Sequence, residues 1–239
     1  RDKFEFIQNG LKDYSLQRNY DFGPKYRENI STLSKYISHR IINEYDLIRE
    51  ILSQYSLQKV DKFVQEVFWR VYWKGWLEHR PEVWRDFVIS TPSYSDEDYE
   101  KAINGKTGIE CFDDWVNELK TENYLHNHSR MWFASIWIFT LNLPWELGAR
   151  FFMKYLFDGD AASNTLSWRW VAGIQTQGKN YIARESNIRK FTNQRYMNTA
   201  LNENASPLEN HKIYSVNKIR QLHTKQTVSY THLRAHETG

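Results

Sequence analysis

The sequence predicts an all-α fold. Apolar residues recur at helical spacing, the breaks fall at proline and glycine signals, and no strand series or internal repeat emerges. At 239 residues the chain can bury one sizeable core. Aromatic residues make up 16% and include ten tryptophans. That fits either a core packed with rings or a site that stacks flat molecules, and composition does not choose between them.

The elements follow in order. Leu47, Ile48, Ile51, Leu52 and Tyr55 form a one-face helical stripe. Val60, Phe63, Val64, Val67, Phe68 and Val71 predict a second helix, with Asp61 and Lys62 in its first turn. Arg80-Pro81 ends that region, because a residue before proline avoids the helical basin. Residues 90–108 read as loop around a short helix over 96–103. Further helices are expected over 111–120, 126–141, 145–157 and 162–172, with Pro144 near the first turn of the third of these. Beyond Gly178 the chain reads as polar and irregular.

The expected organisation is a helical domain over 1–200 and a carboxyl-terminal extension over 201–226. Residues 227–239 resemble the translation of a sequencing adapter, so His232 and His236 are not offered as metal ligands. The net charge of +3 permits a polyanionic partner without demanding one. The single cysteine, Cys111, excludes an intramolecular disulfide framework and fits a reducing cytoplasm. The longest apolar stretch, residues 131–145, is short for a membrane span and contains Ser135, Thr140 and Asn142, so it reads as a buried helix. A cytoplasmic monomer without membrane contact is expected.

Four segments carry candidate chemistry. Residues 29–34 (Asn-Ile-Ser-Thr-Leu-Ser) precede a helix, where hydroxyls and free N–H groups either cap it or hold a phosphate. In residues 66–70, Glu66 and Arg70 share a helix face with Trp69 beside them, which alone suggests a solvated ion pair. Residues 126–131 (His-Asn-His-Ser-Arg-Met) place two histidines on different helix faces, which argues against a metal. Asp158-Gly159-Asp160 leads into a helix bearing Asn164, Trp168 and Trp170; the carboxylates could cap it or hold a cation, but calcium needs more oxygens than this spacing offers.

In this order and spacing the four segments resemble the photolyase/cryptochrome family, from about Phe6 to about Ala172. Tyr14, Arg18, the Gly105-Lys106-Thr107-Gly108 loop, and Trp145 ahead of Phe151-Phe152 also match. The resemblance implies an FAD-binding helical domain lacking the amino-terminal α/β antenna domain. It implies Tyr14, Ser31, Leu33 and Ser34 at the phosphates and adenosine, and Arg70, Asn127, Arg130, Asp158 and Asp160 around the flavin. Asn164 would lie opposite N5, where an amide can donate or accept a hydrogen bond. Glu66 would sit in the flavin and lesion pocket. Trp69 and Trp170 would wall the cavity for a flipped dinucleotide, with Met131 at the lesion and Arg18, Asn127 and His128 toward DNA.

Trp168 and Trp145 match the proximal and middle members of an electron-hopping chain. Its distal position falls near Thr91-Pro92, where Trp84, Tyr94 or Tyr99 could substitute. The implied activity is light-driven repair of cyclobutane pyrimidine dimers in DNA, since Asn127 and Met131 match that class. The alternative is a flavin blue-light receptor acting through a signalling partner. Two departures stand out: Ile30 and Thr32 replace the usual Thr and Arg, and residues 183–187 replace the usual Arg-Ile-Phe-Asn-Pro stretch.

Overall fold

The computed structural model describes residues 5–89, 97–209 and 212–216, and every regular element among them is helical. A wide helical turn, Phe6–Gly10, leads into α1 (Tyr14–Gln17), α2 (Ser34–Ser38), α3 (Glu44–Gln54) and α4 (Leu57–Glu78). Then come α5 (Pro81–Ile89), α6 (Glu97–Ile103), α7 (Glu110–Glu122) and α8 (Asn127–Ser135), which Ile136–Thr140 continues as a π-type turn. The last three are α9 (Trp145–Tyr155), α10 (Ala161–Val171) and α11 (Glu185–Phe191).

Most expected helices are found, with shifted ends. Helix α4 starts at Leu57, so Asp61 and Lys62 lie in its second turn. Pro81 opens a new helix, as suits a residue with no N–H to offer a preceding turn. A helix also forms at 185–191, where an irregular chain was expected: Ile188 and Phe191 supply an apolar edge too short to show as a periodic stripe. Thr91-Pro92, Tyr94 and residues 227–239 lie outside the described residues.

Two cores organise the helices. The smaller gathers Phe6, Leu11, Leu33, Leu47, Ile51 and Phe63 with their neighbours from the first four helices. The larger is built on Trp115, Trp132, Trp137 and Trp168, all at 2% exposure or less. Rings meet there mostly edge-on or offset: Phe152 lies 5.1 Å from Trp168 at 79°, and Trp137 lies 6.2 Å from it at 87°. Residues 201–208 also pack on this core, with Asn202 Nδ2 donating to the Phe139 carbonyl at 3.1 Å. Helix α4 runs about 33 Å, given 1.5 Å per residue. Its first half buries Val60, Phe63, Val64 and Val67 in the small core, while Phe68, Trp69 and Tyr72 in its second half are about half exposed.

The Gly105–Gly108 loop proves to be a cap. The Asp113 carboxylate accepts from the N–H groups of Thr107 and Gly108, each at 2.9 Å, and from the Thr107 hydroxyl at 2.8 Å. That pins the entry to α7.

Gly148 lets α9 and α10 approach. A Cβ there would meet the Trp168 ring at 2.2 Å and Trp137 at 3.0 Å. Neither buried indole has room to retreat, so Gly148→Ala should destabilise the protein by about 1–3 kcal/mol. Chemical denaturation checks this; an unchanged midpoint would show that the two indoles move freely.

Candidate functional site

The turn between α9 and α10 is the centre of the site. Asp160 caps α10 by accepting from Ala162 N–H and Ser163 N–H, both at 2.9 Å. Its other oxygen faces two cations of α4, Arg70 at 3.8 Å and Lys74 at 3.9 Å. Asp158, 4% exposed, accepts from Arg130 Nη2 at 2.9 Å, while Arg130 Nε donates to the Leu125 carbonyl at 2.9 Å. Burial would raise the Asp158 carboxyl, but the Arg130 charge and hydrogen bond hold it below the ordinary carboxylate value. Ser38 Oγ donates to the Asp158 carbonyl at 3.1 Å and accepts from Arg70, which joins α2 and α4 to the same turn.

Beside this turn lies a cleft of about 90 Å³, lined by Tyr14, Arg18, Ser31, Ser34, Glu66 and Asn127 with their neighbours. Eight residues of the four segments thus fall into two adjoining groups, and the suggested Glu66–Arg70 ion pair does not form. Glu66 binds Arg18 of α1 and Arg70 turns to Ser38 and Asp160. Burial, then the Glu66 charge, raises the Tyr14 phenol. Thr32 also lines the cleft and adopts φ of 50°, an uncommon region for a β-branched residue.

Other predicted residues sit elsewhere. Leu33 is a core side chain, 2% exposed. The Asn164 amide donates to the Ala149 carbonyl at 2.8 Å. Trp69 is half exposed and stacks on Trp73 at 5.6 Å; Trp170 stacks on Tyr181 at 5.6 Å. Met131 is partly buried. The helix begins one residue later than expected, so His126 stands outside it as the N-cap and only His128 is helical. His126 Nδ1 accepts from His128 N–H as the cap of α8, and burial pushes its pKa down to about 4. The His128 ring stacks on Trp132 at 4.1 Å and meets the Asn19 carbonyl at 3.0 Å. Trp168 is enclosed, and Trp145 stacks on Phe87 at 5.6 Å. Of the proposed distal aromatics, Trp84 lies 5.4 Å from that same Phe87, whereas Tyr99 meets Trp137 edge-on.

Tyr124 was missed in the sequence. It lines the cleft, and the guanidiniums of Arg27 and Arg130 lie 4.7 and 5.0 Å from its ring centre. Burial pushes its phenol up to about 12, against those two charges. Its only local signal was its place two residues before His126.

The family described as the FAD-binding domain of DNA photolyase matches residues 63–228. This chain belongs to that family. A deoxyribodipyrimidine photo-lyase from Vibrio cholerae is 28% identical over 193 residues, spanning 75% of this chain and 41% of its own. One from Streptomyces griseus is 32% identical over 174 residues, spanning 66% of this chain and 38% of its own. The chain thus spans about two-fifths of these relatives. Among solved structures, a class III photolyase from Agrobacterium tumefaciens superposes with a TM-score of 0.67 at 26% identity, covering 80% of this chain and 41% of that one. A cryptochrome from Synechocystis reaches 0.70 at 21%, over 80% and 42%, and shares the fold.

FAD is the cofactor of such a domain, and the donor set fits it. Arg70 Nε and Ser163 Oγ are buried beside the Asp158–Asp160 turn without a hydrogen-bond partner among the described residues. They offer polar partners to a bound group. The cleft of about 90 Å³ is smaller than the roughly 300–1,000 Å³ of small-molecule sites.

The depressed Asp158 carboxyl sets a pH dependence. Its stabilisation is complete above its unfolded pKa, about 3.9, and is lost as pH falls through its lower folded value. Denaturation between neutral pH and pH 3 should show wild type losing stability that Asp158→Asn has already lost at pH 7. Arg130→Met, which strands the carboxylate, should cost about 3–5 kcal/mol at neutral pH.

Proposed function

We propose that this domain serves light-driven, FAD-dependent repair of cyclobutane pyrimidine dimers in DNA. The observation that carries this reading is the arrangement along α4. Glu66 lines the polar cleft, Arg70 turns to the Asp158–Asp160 turn, and Trp69 between them offers a half-exposed indole to solvent. Relatives of 28% and 32% identity named deoxyribodipyrimidine photo-lyase support it.

Tyr14, Ser31, Ser34, Asn127, Arg130, Asp158, Asp160 and Asn164 would hold FAD, which when bound supplies photochemical electron transfer. Arg70 and Arg130 are each tied to a carboxylate of the turn and would keep positive charge at fixed positions beside a bound cofactor. Glu66 and Arg18 bridge α4 and α1 at the cleft and would meet the lesion and its phosphates. A damaged pyrimidine pair costs less to unstack than an intact one, and Trp69 and Trp170 would hold it by stacking. Trp168 and Trp145 would deliver electrons through the aromatic core.

Two measurements test this. Illumination of flavin-loaded protein with a dimer-containing oligonucleotide should remove the dimers, and the dark control should not. Flavin retained without repair would move the reading to a blue-light receptor. Because Trp69 is half exposed, Trp69→Ala should change stability by roughly 0.5 kcal/mol or less. The same change should weaken binding to dimer-containing DNA about tenfold, and binding to intact duplex far less. Equal losses on both DNAs would remove Trp69 from the lesion cavity.

A further inference from the structure

A second cavity shares no lining residue with the cleft above. It has a volume of about 580 Å³ and is walled by α5, residues 142–146, Arg169 of α10, and the side chains of Leu208, Glu209, Lys212 and Tyr214. That volume falls inside the roughly 300–1,000 Å³ of small-molecule sites.

Its chemistry is asymmetric. One wall is aromatic and apolar: Phe87 and Trp145 lie parallel to within 24° at 5.6 Å, flanked by Leu143 and Pro144. The other holds Arg169, only 6% exposed. Arg169 donates to two neutral groups, the Gln175 side chain at 3.2 Å and the Ile174 carbonyl at 3.4 Å. Among the described residues no carboxylate pairs with it at ion-pair distance. The rings of Tyr214 and Trp145 lie 5.2 and 6.0 Å away. Burial pushes the guanidinium below its ordinary value, as expected of a cation short of a counter-charge. A buried guanidinium is matched best by a planar, two-oxygen anion.

The rim limits how much negative charge can enter. Asp86, Glu146 and Glu209 all line the cavity. Lys212 and Tyr214 already bind Asp86, at 2.7 and 2.9 Å. Glu146 is partly buried within the field of Arg169. With Lys212 already paired to Asp86, Arg169 is the one cation among the described lining residues left to take a counter-charge, which suits a single carboxylate and not a phosphate chain or a nucleic acid strand.

We propose that this cavity binds a planar aromatic monocarboxylate, with Arg169 taking the carboxylate and the Phe87–Trp145 wall taking the ring. The site is separate from the flavin cleft and does not depend on the repair reading.

The probe is 1-naphthoate, with the neutral 1-naphthalenemethanol as its control, titrated calorimetrically into the full chain. Naphthoate should bind at one site and more tightly than the alcohol. Arg169→Gln should weaken naphthoate roughly 10- to 100-fold, the worth of a charge-assisted hydrogen-bond pair, and leave the alcohol within about twofold. Should that variant not fold, nitrogen-edited spectra of the wild type decide: naphthoate must shift the Arg169 Nε–H and Trp145 indole N–H resonances. Naphthoate binding no better than the alcohol, affinity indifferent to Arg169→Gln, or shifts confined to other residues would each overturn the assignment.

Discussion

The candidate site hangs on the buried pair between Arg130 and Asp158. Two charges out of water are tolerable only when each is satisfied, and Arg130 achieves this by dividing its donors between Asp158 and the Leu125 carbonyl. The pair fixes α8 against the α9–α10 turn. Once that turn is fixed, Asp160 can cap α10 and meet Arg70 and Lys74 on α4. Four helices are thereby registered through a three-residue turn. Gly159 permits it, since a Cβ there would stand 3.0 Å from the Leu156 carbonyl.

The tryptophans divide by environment. Trp115, Trp132, Trp137 and Trp168 are core, and their edge-on and offset contacts explain how so many rings share one interior. Trp69 and Trp73 form a stacked pair on the outer half of α4, and Trp69 is half exposed. A half-exposed Trp69 backed by a partly buried Trp73, on the helix that also lines the cleft through Glu66, reads as a surface kept open for a flat partner.

Much of this was legible in the sequence. Helical spacing located the long helices, and the Asp-Gly-Asp and His-Asn-x-x-Arg motifs identified Asp158, Asp160 and Arg130. The partners were less legible. Glu66 and Arg70 share a helix face, yet each takes a partner remote in sequence, Arg18 at a separation of 48 and Asp160 at the cap of α10. An i,i+4 pair contributes little, so any better-buried alternative displaces it. Tyr124 was invisible for a related reason, since its place between Arg27 and Arg130 arises only in the folded chain. Helix α11 escaped because two apolar residues in a seven-residue helix make no period.

The division of α4 between two environments has a thermodynamic consequence. Its amino-terminal half belongs to the small core, and its carboxyl-terminal half reaches the turn between α9 and α10. Among the described residues the small core holds eleven buried apolar residues and the larger one twenty-nine, and regions with fewer buried apolar contacts open locally at lower free energy. A ligand gripped from both sides is lost when either opens. Its binding energy therefore appears as slower hydrogen exchange in residues of the small core that never touch it.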